Sequence, residues 1–205
     1  MSYKIIVARY NENIEWLNNE KLNCIFYNKG KQLNIDNEVI LPNVGRESET
    51  YLHYIITNYD NLPDVVVFIQ ARISDHKGRD DINYLLKIKN EALQDSKSQN
   101  FNTNNDIGLG SDFNKEWNYS NGNYYLKDNY KDNTPIKFID WFTKYINVDY
   151  PNPINFYKNA IFSVKKELIL KNPIEYYQKL ILEVNHHINP TEGHFFERSW
   201  YYIFN

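Results

Sequence analysis

The apolar run V-V-V-F-I at residues 65–69 constrains the fold more than any other feature of this chain. It lacks alternation between apolar and polar positions, which is typical of a strand buried on both faces of a sheet, here over residues 64–70. Two further segments, 4–9 and 23–27, predict strands, and an i, i+3, i+4, i+7 pattern over 46–59 predicts an amphipathic helix. Short strands alternating with helices predict an α/β fold whose mostly parallel central sheet is flanked by helices.

The rest of the chain predicts a single domain, residues 1–205, with a helical C-terminal part. Asn172 is expected to cap one helix with Pro173 in its first turn and Glu175 completing the capping box, and Thr191 is expected to cap the last. Residues 94–133 are rich in Asn, Ser, Gly and Asp and predict an irregular polar insertion. The remaining predicted elements are helices over 13–19, 80–93, 135–146 and 165–170 and a strand over 159–164.

Composition and charge exclude several classes of protein. The net charge is −3 and the pI about 6.0, so there is no overall basic field to attract nucleic acid. Cys24 is the one cysteine, which excludes an internal disulfide and a cysteine zinc site. No stretch approaches the roughly 20 apolar residues of a membrane span, so we expect a soluble, cytoplasmic protein. Without a P-loop, G-x-S-x-G or H-E-x-x-H motif, ATPase, serine hydrolase and zincin activities are not indicated.

Polar clusters follow each of the first three predicted strands. In open α/β sheets, ligands bind in crevices outside the carboxyl ends of the strands, and parallel strands bring those ends to one edge. The sequence therefore predicts a shared cleft. Its candidate residues at the strand ends are Arg9, Asn11, Glu12, Asn28, Lys29, Gln70, Arg72 and His76.

The loop P-N-V-G-R-E at residues 42–47 precedes the predicted amphipathic helix. Gly45 permits a positive φ or a close backbone approach, and a helix N-terminus offers N–H groups and partial positive charge to a phosphate. Arg46 can add a bidentate contact to a phosphate oxygen. The alternative is a capped loop in which Arg46 and Glu47 form a solvated pair, and spacing alone slightly favours that alternative.

Two readings are equally open for Glu197, which lies in the aromatic segment F-F-E-R-S-W. A carboxylate in apolar surroundings has a raised pKa and can act as a general base, or it forms an internal ion pair with a nearby arginine. Metal ligands are sparse: His186 and His187 are adjacent and so diverge, and no D-x-D triplet occurs. The nearest variant, D-N-E at 36–38, is predicted to lie in a turn, and D-D at 80–81 to open a helix.

The order of motifs resembles the domain-of-unknown-function family 3431, found in fungi, other eukaryotes and large DNA viruses. The resemblance is carried by V-A-R-Y-N-E-N-I-E-W-L (7–17), Y-N-K-G (27–30), L-P-N-V-G-R-E-S-E-T-Y-L-H-Y-I (41–55) and N-Y-D-N-L-P-D-V-V-V-F-I-Q (58–70). Two later segments share it, at 160–177 and 196–204. It covers nearly the whole chain apart from residues 94–150 and implies a viral or microbial protein in the host cytoplasm or virion, but no particular activity.

A second resemblance is to nucleotide-sugar glycosyltransferases of the A-type fold, through the N-x-G-R-[DE] loop and a late E-R helix. It implies that Gln70, Arg72 and His76 stand where such enzymes have metal-binding acids. Because cationic and neutral groups replace a D-x-D motif there, the resemblance points to a metal-independent mechanism, with a divalent metal (Mn or Mg) as the alternative. By this resemblance Arg46, Arg72 or Lys29 stabilises the leaving diphosphate, and Glu197 is the base. The other implied contacts are Arg9, Asn11 and Glu12 to the nucleotide, Asn28 and Lys29 to base or ribose, and Asn43, Gly45, Arg46 and Glu47 to diphosphate or sugar.

The leading hypothesis from the sequence is a glycosyltransferase with a nucleotide-activated sugar donor and a glycan or protein acceptor. The first alternative is a non-catalytic glycan- or nucleotide-binding protein that kept the fold. A virion-associated interaction protein is the second, with an aromatic patch in residues 117–125. A phosphatase or nuclease would need carboxylate clusters for two metals, which the sequence does not offer.

Overall fold

The computed structural model describes residues 1–17, 22–74, 82–94, 99–100, 107–110, 138–151 and 154–205. Within them the chain forms eight strands and six α-helices. The strands are β1 Tyr3–Arg9, β2 Cys24–Asn28, β3 Glu38–Ile40, β4 Val65–Gln70, β5 Gln99–Asn100, β6 Ile107–Gly110, β7 Ile154–Tyr157 and β8 Phe162–Lys165. The helices are α1 Arg46–Thr57, α2 Ile82–Gln94, α3 Phe138–Tyr145, α4 Lys166–Ile169, α5 Ile174–Ile181 and α6 Thr191–Phe204.

The main sheet has six strands in the order β3-β2-β1-β4-β8-β5. The first four are parallel, and β8 is inserted antiparallel between β4 and β5. At its centre Ile5 pairs with Cys24 on one side and with Val67 on the other. The predicted α/β fold with a mostly parallel sheet is confirmed. The chain builds outward from β1 to β3 and returns through α1 to β4 on the opposite side of β1, so the strand order reverses between β1 and β4.

Successive residues of the central strands pack on opposite faces of the sheet. Ile6 and Phe68 belong to a cluster with α1, α3, α5 and α6, whereas Ile5 and Val67 belong to a second cluster with α2. The five residues at 65–69 are fully buried, as the absence of alternation predicted. Burial of each such side chain stabilises the folded state by roughly 1.5–3 kcal/mol, so β4 contributes to the core on both faces of the sheet.

Tilted and edge-on aromatic contacts hold the C-terminal helix α6 against the sheet and its neighbouring helices. The Trp200 ring lies 5.6 Å from Phe162 of β8 and 5.9 Å from Tyr51 of α1, between ring centroids. The Phe196 ring lies 5.0 Å from Trp141 of α3. Aromatic pairs at these separations stabilise beyond the area they bury. The start of α6 is thereby held beside the start of α1, although the two are far apart in sequence.

Three predictions at the ends of elements are wrong. Pro173 and Pro190, which have no side-chain acceptor, occupy the N-cap positions of α5 and α6. The Asn172 side chain instead donates to the Ile203 carbonyl over 2.9 Å. Strand β8 starts at Phe162 rather than at residue 159 because Asn159 and Ala160 have φ values of 63° and 52° in a short 3-10 segment.

Other predictions need smaller corrections. The helix expected over 13–19 is, in the part described, the 3-10 helix Glu15–Leu17. The turn expected at 36–38 leads at Glu38 into strand β3, which pairs with β2. The polar insertion 94–133 contains β5 and β6; the aromatic residues at 117–125 and the acids at 80–81 lie outside the described residues. None of the described helices has the length and hydropathy needed to cross a membrane.

Candidate functional site

A cleft of about 560 Å³ opens at the carboxyl ends of β1, β2 and β4. It therefore lies where the strand order reverses, the position at which open α/β sheets bind ligands. The loop before α1 and the segment before α6 complete its walls. The lining residues are Ala8, Arg9, Tyr10, Glu12, Lys29, Asn43, Arg46, Glu47, Gln70, Arg72, Ile188 and Asn189.

The structure brings most of the predicted site residues together. Of the thirteen candidates, eight line the cleft: Arg9, Glu12, Lys29, Asn43, Arg46, Glu47, Gln70 and Arg72. Asn11, Asn28 and Gly45 support the loops around it. Glu197 is not among the lining residues, and His76 lies outside the described part of the chain.

Arg9 and Asn28 form a buried network that ties the ends of β1 and β2 together. Nη1 of Arg9 donates to Asn28 Oδ1 over 2.8 Å and to the carbonyls of Tyr10 and Lys31 over 3.1 and 2.9 Å. The Asn28 amide donates to the Lys31 carbonyl and to Glu38 Oε1, and its oxygen also accepts from Gly30 N. An amide has two donors and one oxygen, so the Asn28 side chain is satisfied within the protein, and its contact to a base or ribose stays a prediction.

Gly30 and Asn11 bring the same two loops into close contact. A Cβ on Gly30 would lie 1.8 Å from the Tyr10 carbonyl oxygen, a main-chain atom that cannot swing away. Lys31 N donates to Asn11 Oδ1 over 2.8 Å at the same place. The glycine in Y-N-K-G is therefore required by backbone approach, and Asn11 serves the neighbouring loop.

Lys29 is a buried cation that holds the loop at residues 42–47. Its Nζ donates to the carbonyls of Val44 and Arg46 over 2.5 and 2.6 Å and pairs with Glu49 Oε2 at 2.6 Å. Burial lowers the pKa of Lys29, and the Glu49 carboxylate opposes that shift. These contacts direct the ammonium group toward the loop backbone, and the base or ribose contact that the resemblance implied stays a prediction.

The loop at 42–47 has an unusual backbone conformation. Gly45 and Arg46 have φ values of 64° and 52°, and a left-handed conformation at a residue such as arginine costs on the order of 1–3 kcal/mol. Gly45 N donates to the His187 carbonyl, and a Cβ there would lie 2.4 Å from Glu49 Cβ and 2.6 Å from the Val184 carbonyl oxygen. Contacts from both sides thus maintain the strained turn from which Arg46 lines the cleft.

The Arg46 side chain crosses to the start of α6. Its Nη1 lies 2.9 Å from His194 Nε2 and 3.3 Å from Asn189 Oδ1, and its Nε lies 3.7 Å from Glu47 Oε2. Burial, followed by the positive charges of Arg46 and Arg198, lowers the pKa of His194 to about 3. Sequence reasoning missed His194 and Asn189, because they lie more than 140 residues from Arg46 and follow no strand.

Glu197 lies behind the cleft wall. Its Oε1 accepts the Asn159 N–H over 3.0 Å, and its Oε2 pairs with Arg198 Nη1 at 2.6 Å. The cleft residue Gln70 donates to the Asn159 carbonyl over 3.4 Å. The observed contact is therefore the ion pair that stood as the alternative to a general base, and Glu197 supports the bend at Asn159.

Candidate metal ligands are sparse in the part of the chain that the structure describes. Among them no group of three or more His, Cys, Asp or Glu side chains is suitably placed to hold an ion. The carboxylates that line the cleft are Glu12, which accepts the Tyr10 N–H over 2.7 Å, and Glu47, paired with Arg46. Glu38 accepts hydrogen bonds from the N–H groups of Leu33 and Asn34 and from Asn28. The D-N-E segment is thus engaged in structural contacts.

The chain belongs to the family described as protein of unknown function (DUF3431), whose model matches residues 5–205. The family resemblance inferred from the motifs is confirmed, and the match also spans the polar region that those motifs left out. Comparison with curated proteins and with solved structures gives no match.

Proposed function

We propose that this member of the DUF3431 family is a glycosyltransferase that takes a nucleotide-activated sugar into the cleft and transfers the sugar without a metal ion. The observation that carries the proposal is a cleft at the reversal of strand order that is lined by four cationic side chains, of which Arg46 and Arg72 are exposed, and by two carboxylates. The chain as a whole carries a net charge of −3, so this positive lining is a local feature that suits an anion.

The diphosphate of the donor fits Arg46 and Arg72. Both side chains are exposed and line the cleft from different elements, the start of α1 and the segment after β4. Guanidinium groups bind phosphate oxygens through paired hydrogen bonds, and the start of α1 adds the partial positive charge of a helix N-terminus. Two arginines at the leaving group supply the charge stabilisation that a metal supplies in other transferases.

The nucleoside and sugar fit the apolar rim of the same cleft. Tyr10 and Ile188 are 50% and 58% exposed, and both line the cleft. Exposed apolar side chains beside a charged pocket gain most from a ligand that carries a ring as well as phosphates. This rim favours a nucleotide-linked sugar over an inorganic anion.

The proposed reaction is a displacement at the anomeric carbon. An acceptor hydroxyl oxygen forms the new bond to that carbon, and the bond from the carbon to the diphosphate oxygen breaks with its electron pair. The nucleoside diphosphate leaves against Arg46 and Arg72, and the hydroxyl proton passes to a carboxylate. Glu47 takes this role in the proposal because it lines the cleft next to Arg46, whereas Glu197 does not line it.

Calorimetric titration with a panel of uridine, guanosine, thymidine and cytidine nucleotide-sugars, without divalent metal, tests the donor site. We expect one group of donors to bind, and Arg46→Ala to weaken that binding about tenfold or more, as the loss of a charge-assisted contact does. Lys87→Ala is the matched control, because Lys87 is an exposed cation on α2 and does not line the cleft. Failure of every donor to bind or to shift the unfolding temperature would contradict the proposal.

The second candidate is a non-catalytic protein that binds the same nucleotide ligands. It is favoured by the ion pair of Glu197 with Arg198, which occupies the carboxylate that the resemblance assigned to catalysis. Hydrolysis and transfer assays of a bound donor, with and without Mn²⁺, separate the two candidates. A transferase releases nucleoside diphosphate and loses this activity in Glu47→Gln, whereas the binding protein releases none under either condition.

A further inference from the structure

We infer that His194 is a positioning residue, whose imidazole accepts a hydrogen bond from Arg46 and so sets the direction of the guanidinium group that meets the anionic part of the ligand. The inference rests on the proposed function, since it deepens the account of the same anion site. His194 itself is not among the residues that line the cleft. Any effect of its substitution on ligand binding must therefore pass through Arg46 or through the fold.

The contact fixes which partner donates. All guanidinium nitrogens carry N–H groups and none can accept a hydrogen bond. The 2.9 Å separation of Arg46 Nη1 and His194 Nε2 therefore requires the imidazole nitrogen to accept. A neutral ring meets that requirement, and a protonated ring would present an N–H to a cation. Burial and the neighbouring Arg46 and Arg198 charges lower the pKa of His194 to about 3, which keeps the ring neutral at ordinary pH.

The His194 ring is carried by a helix turn that is packed against buried aromatic rings, whereas the Arg46 side chain is partly exposed. His194 lies in the first turn of α6 and is followed by Phe195 and Phe196, which are fully buried against the rings of α3. The Arg46 side chain is 40% exposed. A long side chain that is already held loses less conformational freedom when it binds a ligand, so the histidine contact preorganises the site.

Asn189 is a second acceptor for the Arg46 guanidinium group. Its Oδ1 accepts from Arg46 Nη1 at 3.3 Å, and unlike His194 it lines the cleft. The backbone of Arg46 is fixed separately, through the Lys29 contact to its carbonyl. Backbone and guanidinium are thus held by different elements, and removal of the histidine acceptor leaves the turn itself in place.

A double-mutant cycle in the full chain tests the inference, with inorganic pyrophosphate as the probe at pH 7.5. The proteins compared are the wild type, Arg46→Ala, His194→Phe and the double variant. We expect H194F to weaken pyrophosphate binding about tenfold, and to change it less than twofold when Arg46 is already alanine. H194Q restores most of the affinity, because its amide oxygen can accept from the guanidinium group.

Each other outcome overturns the inference. An equal loss from H194F in both backgrounds means that the residue acts through the fold, and an unchanged affinity means that it does not position Arg46. Either result leaves the proposed function standing if the wild type binds pyrophosphate and a donor. Absence of both bindings in the wild type removes the proposed function and this inference together. H194M is made in parallel, and whichever apolar variant keeps the wild-type unfolding transition decides the test.

Discussion

The cleft has an inner pair of buried cations and an outer pair of exposed cations, and the two pairs differ in their surroundings. Arg9 and Lys29 form the inner pair; each is only 9% exposed, and each donates to main-chain carbonyls of the surrounding loops. Arg46 and Arg72 form the outer pair and are exposed. All four line the same cleft. The comparison shows that a cation lining the cleft can be buried against the loop backbone or exposed at the cleft surface.

This division has a physical reason. A buried charge must be compensated by partners inside the protein, and Lys29 has Glu49 together with two carbonyl oxygens. An exposed guanidinium keeps part of its surface in water, so a phosphate oxygen can reach it beside its partners in the protein. We therefore expect substitutions in the inner pair to lower the free energy of unfolding, and substitutions in the outer pair to lower ligand affinity.

The largest effect is expected for Lys29→Met. It leaves the Glu49 carboxylate buried without its cation, and breaking a buried ion pair in this way lowers the free energy of unfolding by about 3–5 kcal/mol. Urea denaturation followed by fluorescence measures the change. Lys31→Met, an exposed lysine two residues away, is the control and should lie within about 0.5 kcal/mol of the wild type. A K29M protein as stable as K31M would break the distinction between the pairs.

Gly45→Ala is expected to lower the free energy of unfolding by roughly 2–4 kcal/mol, from a strained backbone and steric overlap together. Its φ is 64°, and the added Cβ would meet Glu49 Cβ at 2.4 Å. Gly193→Ala is the matched control, because the nearest atom to its Cβ is Arg46 Cδ at 3.9 Å, an ordinary contact. That helical variant should be equal to or more stable than the wild type. A stable G45A would show that the turn adjusts freely.

The third prediction concerns pH and His194, which contacts Arg46 of the outer pair. The folded-state pKa of His194 is about 3, against 6.5 for the unfolded chain, so its contribution to stability is fully present above pH 6.5 and declines as the pH falls toward 3. Between pH 7 and pH 5 this group alone should remove on the order of 2 kcal/mol. Thermal unfolding of the wild type and of H194Q measures it. Identical pH profiles for the two proteins would contradict the prediction.

The smallest effect on the free energy is expected for Arg72→Ala. This outer cation is exposed, so its removal should change the unfolding transition by less than about 0.5 kcal/mol. Donor affinity should nevertheless fall about tenfold, as for one charge-assisted hydrogen bond. Calorimetry on the variant and on the Lys87→Ala control separates the two quantities. A loss of stability without a loss of affinity would place Arg72 with the inner pair.

Local patterns predicted the parts of the molecule that depend on local forces. The unbroken apolar run at 65–69 determined a strand buried on both faces. The glycine in N-V-G-R-E predicted a positive φ or a close backbone approach, and Gly45 shows both. Of the eight candidates from the strand-end rule, five line one cleft: Arg9, Glu12, Lys29, Gln70 and Arg72. Pattern alone was insufficient at Asn172, where a tertiary contact to the Ile203 carbonyl replaced the expected cap. It also gave no sign of positive φ at Asn159 and Ala160, which shortened β8.

The sequence by itself determined the class of fold, the family and the edge of the sheet at which polar residues gather. Side-chain periodicity is a local property of the chain, and the carboxyl ends of parallel strands meet at one edge of a sheet. Only the tertiary structure decided which cations are buried against the loop backbone and which stay exposed in the cleft, because burial depends on how distant elements pack. The same holds for His194 and Asn189, which reach Arg46 from more than 140 residues away. Ring contacts such as Phe196 with Trp141 and Trp200 with Phe162 hold α6 in the place that puts its start beside Arg46. The sequence shows these aromatic residues but not how the helix is oriented on them.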